Sequence, residues 1–337
     1  MTTIPSKKLT VSVALCTYNG AIYLREQLES ISCQTYPISE IIISDDGSTD
    51  ATSDIVKIFS EQANIPIKYI QGPNNIGVTK NFERAISNCQ NEIIFLADQD
   101  DIWESDKVQN TIDAFEANLD CGYAFSDASL ITPTGEAKSH TLWDIIGFSG
   151  IRRKTFEFDE QVPVLLKNGN FVYGMALAFR AKYRDILLPI VSTSGECTHD
   201  TWIATLLSAA GYRGITIPAP LVRYRQHASQ VVGAGQFKAS TWRAIRNVLA
   251  ANRRVNPALS ADYDQLAVRL EWISRSCGID CRSIQRIREK ALHLKNRQAA
   301  MQAPYRSRGR LIFSELLSGR YAKYSSSWKS ALRDIAA

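Results

Sequence analysis

The chain has 337 residues, 45% of them hydrophobic, and a formal net charge of +5. That is room for one large domain with an appendage, or for two modest domains. No apolar stretch approaches the ~18–20 residues that cross a bilayer, and Met1 to Thr10 lack the apolar core of a signal peptide. The seven cysteines are odd in number, scattered and mostly set in apolar segments, as at Cys16, Cys33 and Cys89. Cys277 and Cys281 form the one close pair, with no second pair to complete a zinc site, so the thiols read as reduced in a cytoplasmic protein.

In chain order, residues 11–15 are a short apolar run, and a helical spacing of Ile22, Leu24, Leu28 and Ile31 follows. Residues 40–44 are β-branched and strand-like, then Asp45-Asp46-Gly47-Ser48 turns the chain into a helix marked by Ile55, Ile58 and Phe59. A third strand over 67–70 precedes a helix marked by Phe82, Ala85, Ile86 and Cys89. Strands alternating with helices of this length predict a mainly parallel sheet with helices on both faces. Ligands of such sheets sit beyond the strands' carboxyl ends, where Tyr18-Asn19-Gly20, Asp45-Asp46-Gly47 and the acidic run 98–101 all fall. From 121 to 225 the pattern is less regular: 123–125 and 172–179 read as strands, and 201–210 as a helix led by His199-Asp200. Beyond 236 the spacing of Trp242, Ile245 and Leu249, then Leu266, Leu270 and Ile273, then Ile284, Ile287, Ala291 and Leu294 predicts helices throughout.

The stretch richest in chemistry is Ile93-Ile94-Phe95-Leu96-Ala97, ending in Asp98-Gln99-Asp100-Asp101-Ile102-Trp103. Three carboxylates in four positions at the end of a buried strand repel one another and resist desolvation. A divalent cation with a taste for oxygen, Mg²⁺ or Mn²⁺, would neutralise them and bridge to a diphosphate; the alternative is an acidic loop capping a helix that starts near Ser105 or Asp106. The Asp45-Asp46-Gly47-Ser48 turn has two readings: a simple tight turn and helix cap, or a carboxylate that accepts the imide N–H of a uracil or thymine. Asp200 is either a helix cap or a base that takes a proton from an attacking hydroxyl. Tyr224-Arg225-Gln226-His227 precedes the small-residue stretch 228–235 and is either a linker or a loop that closes over a diphosphate and completes a metal shell. Charge is uneven: residues 1–236 carry a net −8 and residues 237–337 a net +13. The basic end is either a solvated helical face or a surface for an anionic partner. Near the terminus Arg306, Arg308, Arg310, Arg320, Lys323 and Lys329 interleave with Leu311, Ile312, Phe313, Leu316, Leu317, Tyr321, Tyr324 and Trp328, a pattern that suits a lipid interface.

Five motifs in register over roughly residues 10–232 resemble the family 2 glycosyltransferases, which have the GT-A fold. They are Val13-Ala14-Leu15-Cys16-Thr17-Tyr18-Asn19, Ile43-Ser44-Asp45-Asp46-Gly47-Ser48-Thr49-Asp50, Asn74-Asn75-Ile76-Gly77, Asp98-Gln99-Asp100-Asp101-Ile102-Trp103 and His199-Asp200. Asp-Gln-Asp-Asp-Ile-Trp, Asn81-Phe82-Glu83-Arg84, Tyr224-Arg225-Gln226-His227 with Val231-Val232-Gly233, and the tail from Ser318-Gly319-Arg320-Tyr321 to Ala331-Leu332-Arg333-Asp334 look like the bacterial rhamnosyltransferase-like branch.

The resemblance implies a GT-A, Rossmann-like, mainly parallel α/β sheet over residues 1–235. A basic α-helical region over 236–337 would serve membrane association or oligomerisation. It implies Tyr18 and Asp46 at the nucleobase, and Thr17, Asn19, Asp45, Asn75, Lys80, Asp98, Asp100 and Arg225 along the nucleotide sugar. Asp100, Asp101 and His227 would hold Mn²⁺ or Mg²⁺, and Asp200 would be the catalytic base. Trp103, Gly174, Met175, His199 and Trp202 would lie on the acceptor side; family members often have Glu-Asp where this chain has His199-Asp200, so the role of His199 stays open. The implied reaction is metal-dependent and inverting. It would move a sugar, L-rhamnose from dTDP-rhamnose in the first instance, from a dTDP- or UDP-linked donor to a glycan or polyprenyl-diphosphate-linked saccharide in bacterial surface polysaccharide synthesis. The implied setting is cytoplasmic with no nucleic acid, the C-terminal helices serving either the inner membrane surface or, as the alternative, a homodimer. Two alternatives remain: a sugar-1-phosphate nucleotidyltransferase, against which the absence of a Gly-rich, Arg-bearing loop after the first strand counts, and a non-catalytic scaffold of a polysaccharide assembly complex, against which Asp100, Asp101 and Asp200 count.

Overall fold

The computed structural model describes residues 8–158, 160–167, 171–192, 194–228, 256–277, 281–325 and 328–336. The helix expected around Trp242, Ile245 and Leu249, the Val231-Val232-Gly233 element and the boundary at 235/236 lie outside the described residues, as does the side chain of Cys277. The described residues divide between two compact units. The first comprises those of Met1–Asp144, Val172–Pro189 and Gly214–Val232; the second those of Ile145–Phe171, Ile190–Arg213 and Gly233–Ala337.

The elements run β1 (Val11–Thr17), α1 (Leu24–Ser32), β2 (Glu40–Asp45), α2 (Thr52–Gln62), β3 (Ile67–Gln71), α3 (Val78–Asn88), β4 (Ile93–Asp98), β5 (Ile102–Trp103), α4 (Lys107–Ala117), β6 (Cys121–Ile131) and β7 (Ala137–Thr141). They continue with α5 (Leu142–Ile146), α6 (Gly150–Phe158), α7 (Gln161–Lys167), β8 (Leu177–Arg180), α8 (Arg184–Leu187), α9 (His199–Ala209) and β9 (Arg213–Arg225). Five helices close the chain: α10 (Pro257–Cys277), α11 (Cys281–Gln302), α12 (Tyr305–Leu317), α13 (Arg320–Tyr324) and α14 (Trp328–Ala336).

Among the described residues the strands make one sheet in the order β3-β2-β1-β4-β8-β6-β9-β5, with β7 paired to β6. The first four strands are parallel, as the strand–helix alternation implies, and β8 turns the second half antiparallel. Every residue of β1 is buried, which fits a central parallel strand covered on both faces. Its register sets the site: Thr17 stands beside Asp45 of β2, and Cys16 beside Asp98 of β4. Three strand ends therefore deliver Tyr18, Asp46 and Gln99 to one sheet edge.

Residues 172–179, expected as one strand, differ. A 3-10 turn over Gly174–Ala176 precedes the shorter β8. An apolar run reports burial rather than backbone conformation, and Val172, Met175 and Ala176 are buried without strand geometry. The turn presents the Met175 carbonyl to the ammonium of Lys107, at 3.0 Å.

The second unit is helical. Leu266, Leu270 and Ile273 of α10 and Ile287, Ala291 and Leu294 of α11 are buried, and α10 packs on α11. Phe148 and Phe171 stack at 4.1 Å, with Phe156 edge-on to both. Beneath α12 to α14 lies a polar network. His293 of α11 contacts Glu315 through Nδ1 at 2.7 Å and Ser325 Oγ through Nε2 at 2.8 Å. Arg320 grips both Glu315 oxygens at 2.7 Å, while Arg297 and the Tyr321 hydroxyl bind Asp334. Burial raises the Glu315 pKa, but its bonds from His293, Arg320 and Asn296 outweigh this and bring it down to about 2. No helix among the described residues is long and apolar enough to cross a membrane.

Candidate active site

At the end of β1, Thr17 Oγ1 and the Tyr18 N–H both donate to Gln99 Oε1, at 2.7 and 2.8 Å, and Gln99 Nε2 returns a bond to the Tyr18 carbonyl at 3.2 Å. The glutamine between two aspartates thus clamps the β1 loop to the β4 loop. Gly20 permits the approach, since a Cβ there would run into the Gln99 carboxamide. The Tyr18 ring is left exposed, open for stacking. Asn19 adopts φ 48° and binds across to the next loop, its Oδ1 accepting the Thr49 N–H at 2.9 Å and its N–H donating to Ser48 Oγ at 2.8 Å.

At the end of β2 both aspartates are buried and engaged. Asp45 accepts the Ser48 N–H and hydroxyl on Oδ1 and the Tyr69 hydroxyl on Oδ2. Asp46 takes the N–H groups of Ile76 and Gly77, one on each oxygen at 2.9 Å, so it pins the loop that carries Asn75. Arg84 reinforces this edge through Ser44 Oγ and the Asp45 carbonyl. Lys80 is partly exposed and pairs with Glu83 at 2.9 Å.

The acidic run separates into different roles. Asp98 and Asp100 are partly open, whereas Asp101 is wholly buried. Asp101 Oδ1 accepts the Arg225 N–H at 3.0 Å, and Oδ2 finds no partner among the described residues. Burial raises its pKa well above the usual carboxylate range, with the charges of Asp100 and Asp98 adding to the rise. Asp100 Oδ2 lies 2.7 Å from His227 Nε2. Arg225 is buried and engaged on every side: Nε to the Asp100 carbonyl, one terminal nitrogen to the Pro133 carbonyl, the other to Glu26 at 2.5 Å, and its plane over Tyr23. It therefore braces the acidic loop against α1 and β6's following turn. Tyr23 also lies 5.0 Å from the His227 ring. Behind the loop, Lys107 is buried against Trp103 and Phe95. Burial brings its pKa down to about 7, against the pull of Asp101.

The donor set, the partly open carboxylates of Asp98 and Asp100 and the imidazole of His227, is of the chemistry that suits a divalent cation of the Mn²⁺ or Mg²⁺ kind; Asp100 and His227 would be among the residues that hold one. Among the described residues no three His, Cys, Asp or Glu side chains already form a metal-holding array.

The sequence model of Glycosyl transferase family 2 matches residues 12–187, the strands and loops just described. This chain belongs to that family. The family 2 chain is 30% identical over 274 residues to the dTDP-rhamnosyl transferase RfbG of Shigella flexneri, covering 74% of this chain and 89% of that protein. Its fold is shared with S. aureus TarS 1-349, solved in complex with UDP-GlcNAc, at TM-score 0.57 and 16% identity over 94% of this chain and 82% of that one. It is shared too with the mannosyltransferase PcManGT of Pyrobaculum calidifontis, solved with GDP-Man and Mn2+, at TM-score 0.51 and 19% identity over 98% and 86%. The protein is thus a glycosyltransferase of GT-A type, and the nucleotidyltransferase and scaffold readings fall away.

The remaining expected site residues of this glycosyltransferase are placed as follows. Asp200, His199 and Trp202 belong to the second unit, in the first turn of α9. Asp200 is buried, its Oδ1 accepting the Thr198 hydroxyl at 2.5 Å and the Thr201 N–H at 2.6 Å. His199 is buried beside it, which lowers its pKa, and Trp202 is a core side chain. Trp103 and Met175 are core side chains of the first unit, and Gly174 is buried in the 3-10 turn. Gln99, Glu26, Tyr23 and Lys107 are the residues for which sequence reasoning assigned no role. A glutamine set between aspartates at a strand end was the one available signal; Glu26 carries none, because its partner Arg225 lies 199 positions along the chain, and the Met175 carbonyl that Lys107 meets lies 68 positions away.

Proposed function

We propose that this enzyme transfers a sugar from a nucleoside diphosphate donor, dTDP-L-rhamnose in the first instance, to a hydroxyl of a glycan or polyprenyl-diphosphate-linked saccharide at the inner membrane surface, with inversion at the anomeric carbon. The Asp100–His227 contact beside the Gln99-clamped Tyr18 loop carries the reading, and the similarity to a dTDP-rhamnosyl transferase supports the donor. The exposed Tyr18 ring stacks on the base, and the loops held by Asp45 and Asp46 border it. Asp98 and Asp100 take the ribose and diphosphate side, with His227 joining Asp100 in holding Mn²⁺ or Mg²⁺. When bound, such an ion would supply positive charge against the leaving diphosphate. Asp101, turned inward, positions Arg225 and so the acidic loop. Asp200 accepts the proton of the acceptor hydroxyl, and Thr198 and the α9 N–H at Thr201 fix its carboxylate for that task.

The test is transfer and donor hydrolysis with dTDP-rhamnose, UDP-GlcNAc and GDP-mannose. The proposal expects turnover of dTDP-rhamnose above the others, and a loss of ~10²–10⁴ in kcat for Asp200→Asn with little change in donor KM. Turnover confined to another donor would remove rhamnose, and an undiminished Asn variant would move the base elsewhere.

A further inference from the structure

The outward faces of the last helices are inverted relative to an ordinary surface helix. On α14 the polar Ser330 and Asp334 point inward with Ala331, while Trp328, Leu332 and Ile335 stand outward, 60%, 53% and 37% exposed. Their i, i+4, i+7 spacing makes one apolar stripe. On α12, which packs against α14, Ile312 and Glu315 are buried while Phe313 and Leu317 are 61% and 73% exposed. Fraying does not account for this orientation. Asp334 is held by Arg297 and Tyr321, and Glu315 by His293, Asn296 and Arg320, so the buried network fixes the rotation of both helices.

The charges outside are of one sign. Glu315 and Asp334 are the only acids between residues 305 and 336, and both are buried and paired. Arg306 and Arg310 of α12 and Lys329 of α14 are exposed. On α12 Arg306 and Arg310 share the outward face with Phe313 and Leu317, one and two turns before them.

We propose that this face of α12 and α14 docks on an anionic lipid surface, the apolar stripes entering the interface and the cations meeting the headgroups. Aromatic and aliphatic side chains flanked by Arg and Lys are the composition of interfacial helices, and each basic residue near an anionic surface strengthens binding roughly fivefold at low salt. A second copy of the chain fits less well: a two-fold interface would set the same cations against themselves. The inference rests on the reading that the acceptor is lipid-linked, since docking would hold the enzyme where such an acceptor lies.

The test is flotation of the full-length protein with phosphatidylcholine vesicles, with and without phosphatidylglycerol. The expected result is binding to the anionic vesicles at low salt, about tenfold weaker in high salt or with Trp328→Asp/Leu332→Asp. Should that variant fold poorly, Arg306→Gln/Arg310→Gln/Lys329→Gln, all at exposed positions, should weaken binding at low salt by up to about a hundredfold. No binding of wild type to anionic vesicles at low salt would overturn the proposal, as would binding undiminished in both variants. A lipid-free dimer that the Trp328→Asp change dissociates would overturn it in favour of a second copy. Transfer to a water-soluble acceptor, measured without lipid, separates the two readings: the docking variants should retain it, and its loss in wild type would count against the reaction rather than the surface.

Discussion

At the scale of single residues, the site depends on side chains that hold other side chains. Gln99 is the clearest case, a carboxamide whose two ends fix Thr17 and Tyr18. Gln99→Ala should leave the fold intact but free the Tyr18 loop, raising the donor KM about tenfold with a smaller effect on kcat; steady-state kinetics check it. The acidic run announced itself because charge at the end of a buried strand is costly. The clamp did not, because Tyr18 and Gln99 are 81 positions apart, and Arg225 and Glu26 are 199 apart. Away from the site, Lys290 is buried, bonded to the Tyr324 carbonyl, and burial lowers its pKa from 10.5 to about 7. A lysine with a depressed folded pKa binds its proton less tightly than in the unfolded chain, so it weakens the fold below about pH 7 and the penalty fades as pH rises toward 10.5. Denaturant unfolding should show wild type gaining stability relative to Lys290→Met between these pH values, by on the order of 1 kcal/mol per pH unit at most.

At the scale of elements, periodicity served the parallel half of the sheet and the C-terminal helices well. Central strands of an α/β sheet read as continuous apolar runs, and buried faces of long helices repeat every three to four residues. It failed at 172–176, where apolar residues are buried in a 3-10 turn, and it could not foresee the antiparallel half, since strand direction follows from chain reversals rather than from composition. The tail is a subtler case. Its Arg, Lys and aromatic residues read as a pattern that suits a lipid interface, yet Arg320, Tyr321 and Tyr324 serve an internal network with Glu315, Asp334, Glu289 and Lys290, which leaves Trp328 and Leu332 outside. Removing the network's acceptor should therefore unfix the last helices. Glu315→Ala should destabilise the second unit by roughly 2–4 kcal/mol, since His293 and Arg320 lose a buried partner. The stabilisation from Glu315 is present above its unfolded value near 4.5 and lost as pH falls toward about 2, so the variant's deficit, followed by thermal unfolding, should shrink in acid.

At the scale of the whole molecule, the first unit carries the family 2 glycosyltransferase sheet with three loops at the carboxyl ends of its parallel strands, and the second unit carries α9 and the basic terminal helices. In the proposed reaction Asp100 and His227 bring a divalent cation to a nucleoside diphosphate. Protein carboxylates and phosphates repel unless a cation lies between them, so nucleotide affinity and metal must be coupled. The most direct measurement is calorimetric titration of dTDP into the full-length protein with Mn²⁺ and, separately, with chelator. Binding should be about tenfold tighter or more with Mn²⁺, and the difference should collapse in Asp100→Ala and in His227→Ala. Equal affinity with and without metal, or a metal effect untouched by both substitutions, would contradict it.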